Sequence, residues 1–405
     1  PRIIAYADDL LVIIYGNSRE QIKERGQNIT NKIVAWCKNE KLSLSQNKTE
    51  MIAFKGKLNK KRPPIIKLNE ENIQMKDSVK YLGVHFDRGV RIHTHIAKLR
   101  EKCGEKFSAL ARVARADWGL KHNTMATLYK GLFIPIITYA AAGWTDLLGK
   151  ISTEKVDAVQ RYALLKVTRG YRTISTDALP VIAGVPPIHL ILEERSAWYK
   201  IRKARESEAT ENPSTTGTIP TSQPQTKEEL EEATIREWHT LWGNTQLGKE
   251  TKFYFPDVTS RLKADWIYLD HWTTQFLSGH GDFRSKLHLR GLAIDNKCKC
   301  GSEETPTHIL YECENHEAER STLREEAMRA GLNWPTEKKD LISREMYQHF
   351  ARFTKDVLKK KEAEKALVTD TGTGTGTETG TGTASTTGQQ ERRRSQRTRR
   401  GTRRQ

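Results

Sequence analysis

The first fifteen residues alternate between two apolar runs and a short polar break. Ile3-Ile4-Ala5 and Leu10-Leu11-Val12-Ile13-Ile14-Tyr15 flank Tyr6-Ala7-Asp8-Asp9. β-branched and aromatic runs of this kind read as buried strands, and Asp is a turn former. The pattern predicts a β-hairpin with two acids at its tip. Ser18 with Gln21 then fits a capping box, and Ile22, Gly26, Ile29, Ile33, Trp36 and Cys37 recur at helical spacing. A helix to about Asn39 is expected. Leu42 to Glu50 reads as a loop, Met51-Ile52-Ala53-Phe54 as a strand, and Val79 to Phe86 as a second short hairpin.

Beyond residue 90 helical spacing takes over. Ile96, Leu99, Cys103, Phe107, Leu110 and Ala114 line one face of a helix expected over 92–116. Met125, Leu128, Tyr129, Leu132 and Phe133 continue as a second helix that Pro135 disturbs. Val156, Val159, Ala163 and Val167 mark a third, with Gln160, Arg161 and Lys166 placed outside. Residues 206–228 are rich in Ser, Thr, Pro, Gly and Glu and read as a linker. Trp238, Leu241, Trp242, Trp266, Tyr268, Leu269 and Trp272 read as packing for a following module rather than as a base-stacking surface. The class that results is α+β, strands first and helices after.

Two adjacent carboxylates between apolar strands call for a compensating cation, and Mg²⁺ is the usual one for acids that act on phosphates. Taken alone, Tyr-x-Asp-Asp also fits a solvated turn. The motifs that follow add specificity through their order and spacing. Tyr6-Ala7-Asp8-Asp9 resembles the catalytic loop of reverse transcriptases. Leu42 to Glu50 resembles the L-x-L-x-x-x-K-T-E segment of non-LTR (LINE-type) retrotransposon polymerases, and Tyr81-Leu82-Gly83-Val84 resembles their primer-grip turn. Arg169 to Ser175 and Ala183 to Pro187 resemble segments found after the thumb in arthropod members, including those that insert into ribosomal RNA genes.

This resemblance implies RNA-templated DNA synthesis by a Pol protein. Asp8 and Asp9 would hold Mg²⁺, with Asp8 the more direct ligand. Tyr6 would pack near the primer end, and Tyr81, Leu82 and Gly83 would form the primer grip. Lys48 matches the family's lysine; it either helps neutralise the triphosphate or is a solvated surface lysine. Residues 1–90 would be the C-terminal part of a polymerase palm, and 91–205 a basic helical thumb and connection that tracks a duplex by its phosphates. Partners would be an RNA template, a DNA primer or target, and deoxynucleoside triphosphates. The family's third palm carboxylate and fingers lie upstream of this loop, and only five residues precede Tyr6. The chain is therefore expected to be a fragment that cannot extend a primer alone, with the family's endonuclease also upstream. The alternative is a non-enzymatic nucleic-acid-binding remnant that keeps the thumb and knuckle.

Cys298, Cys300, His308 and Cys313 form a C-x-C-x7-H-x4-C pattern, three of the chain's five cysteines within sixteen residues. Three thiolates and an imidazole fit a closed structural zinc site. His316 competes as a ligand, and the alternative is a core histidine among buried thiols. Phe276 to Phe283, with Gly279-His280-Gly281, resembles the segment that precedes the Cys-Cys-His-Cys knuckle of the same family. That match implies Cys298, Cys300, His308 and Cys313 as ligands, within a module over 229–365.

Charge completes the picture. The net charge is +18, and the last fifteen residues hold eight Arg and one Glu, so +11 is spread over the rest. Polyanion binding is expected of the body as well as the tail. Residues 366–405 read as a disordered tail with a Thr-Gly repeat from Thr371 to Thr383. In that tail Arg392, Arg393, Arg394, Arg399 and Arg400 either bind nucleic acid, serve nuclear import or remain a solvated end. Five cysteines without a visible signal peptide suggest a reducing, intracellular compartment, and the resemblance implies synthesis in the cytoplasm and action in the nucleus, the site of integration. No apolar run is read as a membrane span. The oligomeric state is left open.

Overall fold

The computed structural model describes residues 1–54, 62–112, 120–211 and 226–371. Residues 1–358 form one compact unit and 359–405 a second. The first unit begins with small sheets and continues as helices.

Strands β1 (Arg2–Tyr6) and β2 (Asp9–Ile13) pair antiparallel from Arg2↔Ile13 to Tyr6↔Asp9. Only Ala7 and Asp8 connect them, with Ala7 at φ 51°. A left-handed first loop residue matches the right-handed twist of two antiparallel strands. Helix α1 (Arg19–Asn39) follows. Ser18 Oγ accepts the Gln21 N–H at 3.1 Å, while the Gln21 carbonyl oxygen accepts the N–H of Asn17 at 2.8 Å. The expected capping box thus closes one residue early. At Gly26 a Cβ would lie 2.3 Å from Ile66 Cδ1 and 3.2 Å from Ile14 Cδ1. Glycine here lets α1 approach the hairpin closely.

The short strands β3 (Glu50–Met51), β4 (Lys67–Leu68), β5 (Glu71–Asn72) and β6 (Gln74–Met75) come next. β3 pairs parallel with β6, and β4 antiparallel with β5. The second hairpin is β7 (Ser78–Tyr81) with β8 (Val84–Asp87), in register from Ser78↔Asp87 to Tyr81↔Val84. Its two loop residues, Leu82 (φ 44°) and Gly83 (φ 82°), are both left-handed, as a type I′ turn requires.

The helices are α2 (His93–Arg112), α3 (His122–Leu128), α4 (Ile134–Thr138), α5 (Lys150–Val167), α6 (Ala178–Ala183) and α7 (Ile188–Glu211). After them come α8 (Lys227–Asn244), α9 (Lys249–Tyr254), α10 (Val258–Lys263), α11 (His271–Ser278), α12 (Arg284–His288), α13 (Pro306–Tyr311), α14 (Glu317–Arg329) and α15 (Tyr347–Thr371). One hydrophobic core runs through this set from Val84 to Leu358. Trp144, Trp238, Trp242, Phe276 and Phe350 are among its largest fully buried side chains.

Several expectations change on this frame. The strands of the first hairpin were expected to be buried; β1 is exposed throughout, and Ile3, Ile4 and Leu10 face solvent. Among the described residues only the second-strand end of the hairpin is covered, by α1. Trp36, placed on the apolar face of α1, is exposed. Of the strand expected over Met51 to Phe54, only Met51 is in strand conformation.

Pro135 does not end its helix. A π turn at Tyr129–Phe133 sits between α3 and α4, and the extra residue absorbs the mismatch that a proline without N–H creates. The helical stretch His122–Gly143 is long and apolar enough to cross a bilayer, contrary to the expectation that no run reaches that length. Its Met125, Tyr129, Phe133 and Ile137 are buried in the core.

Gln160, expected outside, is buried. Its Nε2 donates to Tyr129 Oη at 2.9 Å and to the Pro186 carbonyl at 2.8 Å, and its Oε1 accepts the Ile188 N–H at 2.9 Å. A helix-period pattern cannot distinguish a polar residue facing water from one that satisfies buried backbone. Leu241 and Tyr268, expected in the core, are exposed, while Trp238, Trp242, Leu269 and Trp272 are buried. Residues 206–211 of the expected linker belong to α7, and Thr226 caps α8 with a full capping box to Glu229. Residues 366–371 of the expected tail belong to α15. Ala114, and Arg392, Arg393, Arg394, Arg399 and Arg400, lie outside the described residues.

Candidate functional site: an acid hairpin, a grip hairpin and a cysteine-histidine knuckle

Asp8 and Asp9 sit at the tip of the first hairpin, both exposed. Tyr6, opposite Asp9 in the register, is 65% exposed. Among the described residues neither carboxylate has an ion pair or a side-chain hydrogen bond. Their oxygens are free to bind a cation. A third carboxylate does not join them among the described residues, where the single cluster of potential metal ligands is elsewhere. Two acids are part of a two-metal site and do not close one. Lys48 ends a 3₁₀ turn (Gln46–Lys48), is exposed, and makes no ion pair to Asp8 or Asp9.

The second hairpin is better packed. Gly83 lies against Tyr139, where a Cβ would come within 2.8 Å of the ring. Tyr81 is partly buried, and its hydroxyl has no hydrogen-bond partner among the described residues. Between this hairpin and α2 lies a cavity of about 620 Å³, lined by Lys80, His85, His95, Lys98, Lys102 and Tyr139 among others. The His85 N–H donates to His95 Nδ1 at 3.4 Å, and the His95 ring packs edge-on against Trp144. Burial, and then the neighbouring His85, lower the His95 pKa to about 4. Sequence reasoning passed over this histidine, because a lone polar residue on an apolar helix face carries no local signal.

The third constellation is closed. Cys298, Cys300, His308 and Cys313 present ligand atoms that all lie within 4.8 Å of one another. Cys298 Sγ is 3.5 Å from Cys313 Sγ, Cys300 Sγ is 3.2 Å from His308 Nε2, and Cys313 Sγ is 4.0 Å from Cys300 Sγ. Tetrahedral zinc at ~2.3 Å from sulfur and ~2.0 Å from nitrogen requires separations of roughly 3.5–3.8 Å. The set fits that ion.

Local structure explains the fit. Cys298 and Cys300 flank a tight reversal in which the Cys298 N–H donates to the Ser302 carbonyl at 2.7 Å and Gly301 stands at φ 94°. Thr305 caps α13 and Pro306 begins it, which places His308 in its first turns. Glu312 Oε2 lies 3.3 Å from His308 Nδ1, so Nε2 is left to bind metal. Arg320, buried, donates to the carbonyls of Ile309, Leu310 and Cys313 and so caps α13 beneath the site.

Crowding splits the thiols. A hydrogen bond from the Ser302 backbone, opposed by partial desolvation, brings Cys300 down to about 7, whereas burial and then Cys298 push Cys313 up to about 12. A divalent cation would hold all three as thiolates. His316 is buried but outside the cluster, 3.9 Å from Glu319. Both glycines of Gly279-His280-Gly281 are sterically required. Gly279 is at φ 66° against Glu250, and a Cβ on Gly281 would come 2.1 Å from Gln275 Oε1, the atom that accepts the Asp282 N–H.

Comparison with known proteins defines the class. Residues 2–86, from the first hairpin to the second, match the reverse transcriptase (RNA-dependent DNA polymerase) family. The chain is 36% identical over 330 residues to a retrovirus-related Pol polyprotein from type-1 retrotransposable element R1 4 of Nasonia vitripennis, covering 76% of this chain and 82% of that protein. It is 32% identical over 365 residues to the putative 115 kDa protein in type-1 retrotransposable element R1DM of Drosophila melanogaster, covering 89% of this chain and 36% of that protein. A Pol polyprotein from element R1 of Bradysia coprophila is 31% identical over 320 residues, covering 78% of this chain and 32% of that protein. The chain belongs to the Pol polyprotein family of type-1 (R1) retrotransposable elements, and is a retrotransposon reverse transcriptase sequence. It spans about a third of the length of the two longer relatives. No solved structure matches it.

Proposed function

We propose that this chain supplies the catalytic loop, primer grip, thumb and zinc knuckle of an enzyme that performs target-primed reverse transcription. The observation that carries the reading is the pairing of two tight hairpins. One holds two free acids, Asp8 and Asp9, on a rigid two-residue loop. The other holds Tyr81, Leu82 and Gly83 on a turn pinned against Tyr139.

In this reading Asp8 and Asp9 ligate Mg²⁺, which activates the primer 3′-oxygen and stabilises the leaving pyrophosphate. Tyr6, exposed beside them, packs near the primer end. Polypeptide outside residues 1–405 supplies the third carboxylate, the fingers and the endonuclease. The longer R1 relatives have room for these segments. The exposed apolar face of the first hairpin is what such polypeptide would cover. Lys48 is a candidate for neutralising the triphosphate. The helices from α2 to α7 act as a basic thumb that follows template–primer phosphates. The knuckle binds structural zinc and positions nucleic acid, Arg392, Arg393, Arg394, Arg399 and Arg400 add charge, and the protein acts in the nucleus with no membrane partner.

The test is nucleotide incorporation by a longer R1 polypeptide that includes these residues. Asp8→Ala should abolish templated incorporation, and Lys48→Ala should reduce it. Unchanged incorporation in Asp8→Ala would refute the catalytic assignment. A second reading, a binding remnant without catalysis, is favoured by the solvent exposure of both acids. It would be upheld if the longer protein bound template and primer with full affinity and added no nucleotide.

A further inference from the structure

The segment between α12 and the knuckle presents an unusual surface. Leu289 is 79% exposed, Leu292 73% and Ile294 96%. Singly exposed leucines are ordinary, whereas three large apolar side chains within six residues form a patch.

The loop that bears them is built, not frayed. Gly291 stands at φ 69°, and its N–H donates to the His288 carbonyl at 2.9 Å. The Leu292 N–H donates to the Leu287 carbonyl at 2.8 Å. This pair of bonds is a Schellman motif ending α12. Such motifs usually fold the residue after the glycine back onto the helix. Here that residue, Leu292, points to solvent instead. Beyond it, His288 Nδ1 is 3.2 Å from the Ala293 carbonyl, and Asp295 binds both the Arg284 guanidinium at 2.8 Å and the Lys297 N–H at 2.9 Å. The zinc knuckle begins three residues after Asp295.

Charge identifies the partner. From residue 284 to residue 299 there are five Lys or Arg and a single acid, Asp295, which is already paired with Arg284. Lys286 and Arg290, together with Arg161 from α5, bear on His280, and burial with these three cations holds that imidazole at about 4. An apolar tip in a stretch with five cations and a single, already paired acid is complementary to a polyanion that also offers flat apolar faces. Stacked bases between phosphates meet both requirements. An acidic or apolar protein meets only one.

We propose that Leu289, Leu292 and Ile294 form a wedge that enters the base stack of a nucleic-acid duplex while Lys286 and Arg290 hold the flanking phosphates. The proposal rests on the reading that the C-terminal module binds nucleic acid. It adds that the module deforms the duplex as well as holding it. The preformed loop explains why the apolar residues stay exposed in the free protein. Its backbone bonds fix the wedge before the duplex arrives, so little ordering cost is left for binding.

The experiment uses the full 405-residue chain, zinc-loaded, with short DNA and RNA–DNA duplexes carrying 2-aminopurine as a reporter of unstacking. Binding should raise the reporter fluorescence at one or two adjacent steps. Leu292→Ser/Ile294→Ser should lose that rise and weaken binding on the order of tenfold or more. Its zinc content and thermal midpoint should match the parent, because neither side chain packs in the core. Lys286→Ala/Arg290→Ala should lower the slope of log K against log salt by about 1.8 for B-DNA.

Four results would overturn the proposal. The first is a fluorescence rise that persists in the Ser/Ser variant. The second is a duplex bound with parental affinity by both proteins and no rise in either, which leaves nucleic-acid binding standing and removes the wedge. The third is a dimer in sedimentation that the Ser/Ser variant converts to monomer, which assigns the patch to a second copy of the chain. No duplex binding by the parent chain would overturn both the wedge and the reading beneath it.

Discussion

The acid hairpin and the cysteine-histidine knuckle are both recognisable from a few residues, and they stand in opposite structural conditions. Asp8 and Asp9 are exposed on a two-residue loop with no partner among the described residues. Cys298, Cys300, His308 and Cys313 converge within 4.8 Å, supported by Glu312 behind the imidazole and by Arg320 beneath the helix. Four converging ligands suffice for a zinc site, whereas two carboxylates do not suffice for a two-metal site. Chemical identity and structural completeness are therefore separate properties. In the proposed reading the hairpin carries the reaction's identity, and the knuckle is self-sufficient.

The largest test of that contrast is ligand loss. Cys313→Ser, or a strong chelator, should remove zinc and destabilise the C-terminal module by several kcal/mol, read as lost zinc and a lower denaturation midpoint. Asp8→Ala should leave the same midpoint within ~0.5 kcal/mol, because an exposed side chain without partners holds nothing together. Equal destabilisation by the two would erase the distinction.

Acid is the next largest perturbation. His95 and His280 are each held at about 4, against 6.5 in an unfolded chain, burial being the main cause in both. Between those values the unfolded state binds more protons, so stability is full above pH 6.5 and falls as pH drops toward 4. The expected loss is on the order of 2–3 kcal/mol per histidine, checked by urea midpoints at pH 7 and pH 4.5. His95→Gln should flatten its share of the slope, and an unchanged slope would contradict the burial argument.

A smaller effect sharpens the knuckle alone. Glu312→Ala should weaken zinc about tenfold by freeing the His308 ring, while the four ligands remain. Competition with a metallochromic chelator measures it. An unchanged affinity would mean that α13, not Glu312, orients the imidazole.

How much of this was legible beforehand depends on whether the signal is local. The hairpin tip, the helix to Asn39, the second hairpin and the cysteine-histidine pattern follow from short-range spacing, and the structure places those residues in such elements. The buried role of Gln160 was not legible, because its partners Tyr129, Pro186 and Ile188 lie in other segments of the chain. The exposure of Ile3, Ile4 and Leu10 was misread for a related reason, since an apolar run shows that a strand needs cover without showing what covers it. Pro135 was read by the general rule, and a π turn a few residues earlier set that rule aside. Glu312 could have been found, as it lies four residues after His308, at the C-cap of the helix that bears it. The 289–294 loop escaped notice because its apolar residues imitate a core segment, and only their exposure separates the two.

Primer extension tests the central claim most directly. The purified 405-residue chain is given a primer–template, deoxynucleoside triphosphates and Mg²⁺, beside a longer R1 polypeptide that contains the same residues. The expected result is no templated incorporation by the chain alone and incorporation by the longer protein that Asp8→Ala abolishes. Templated incorporation by the 405-residue chain, or by the longer protein carrying Asp8→Ala, would contradict it.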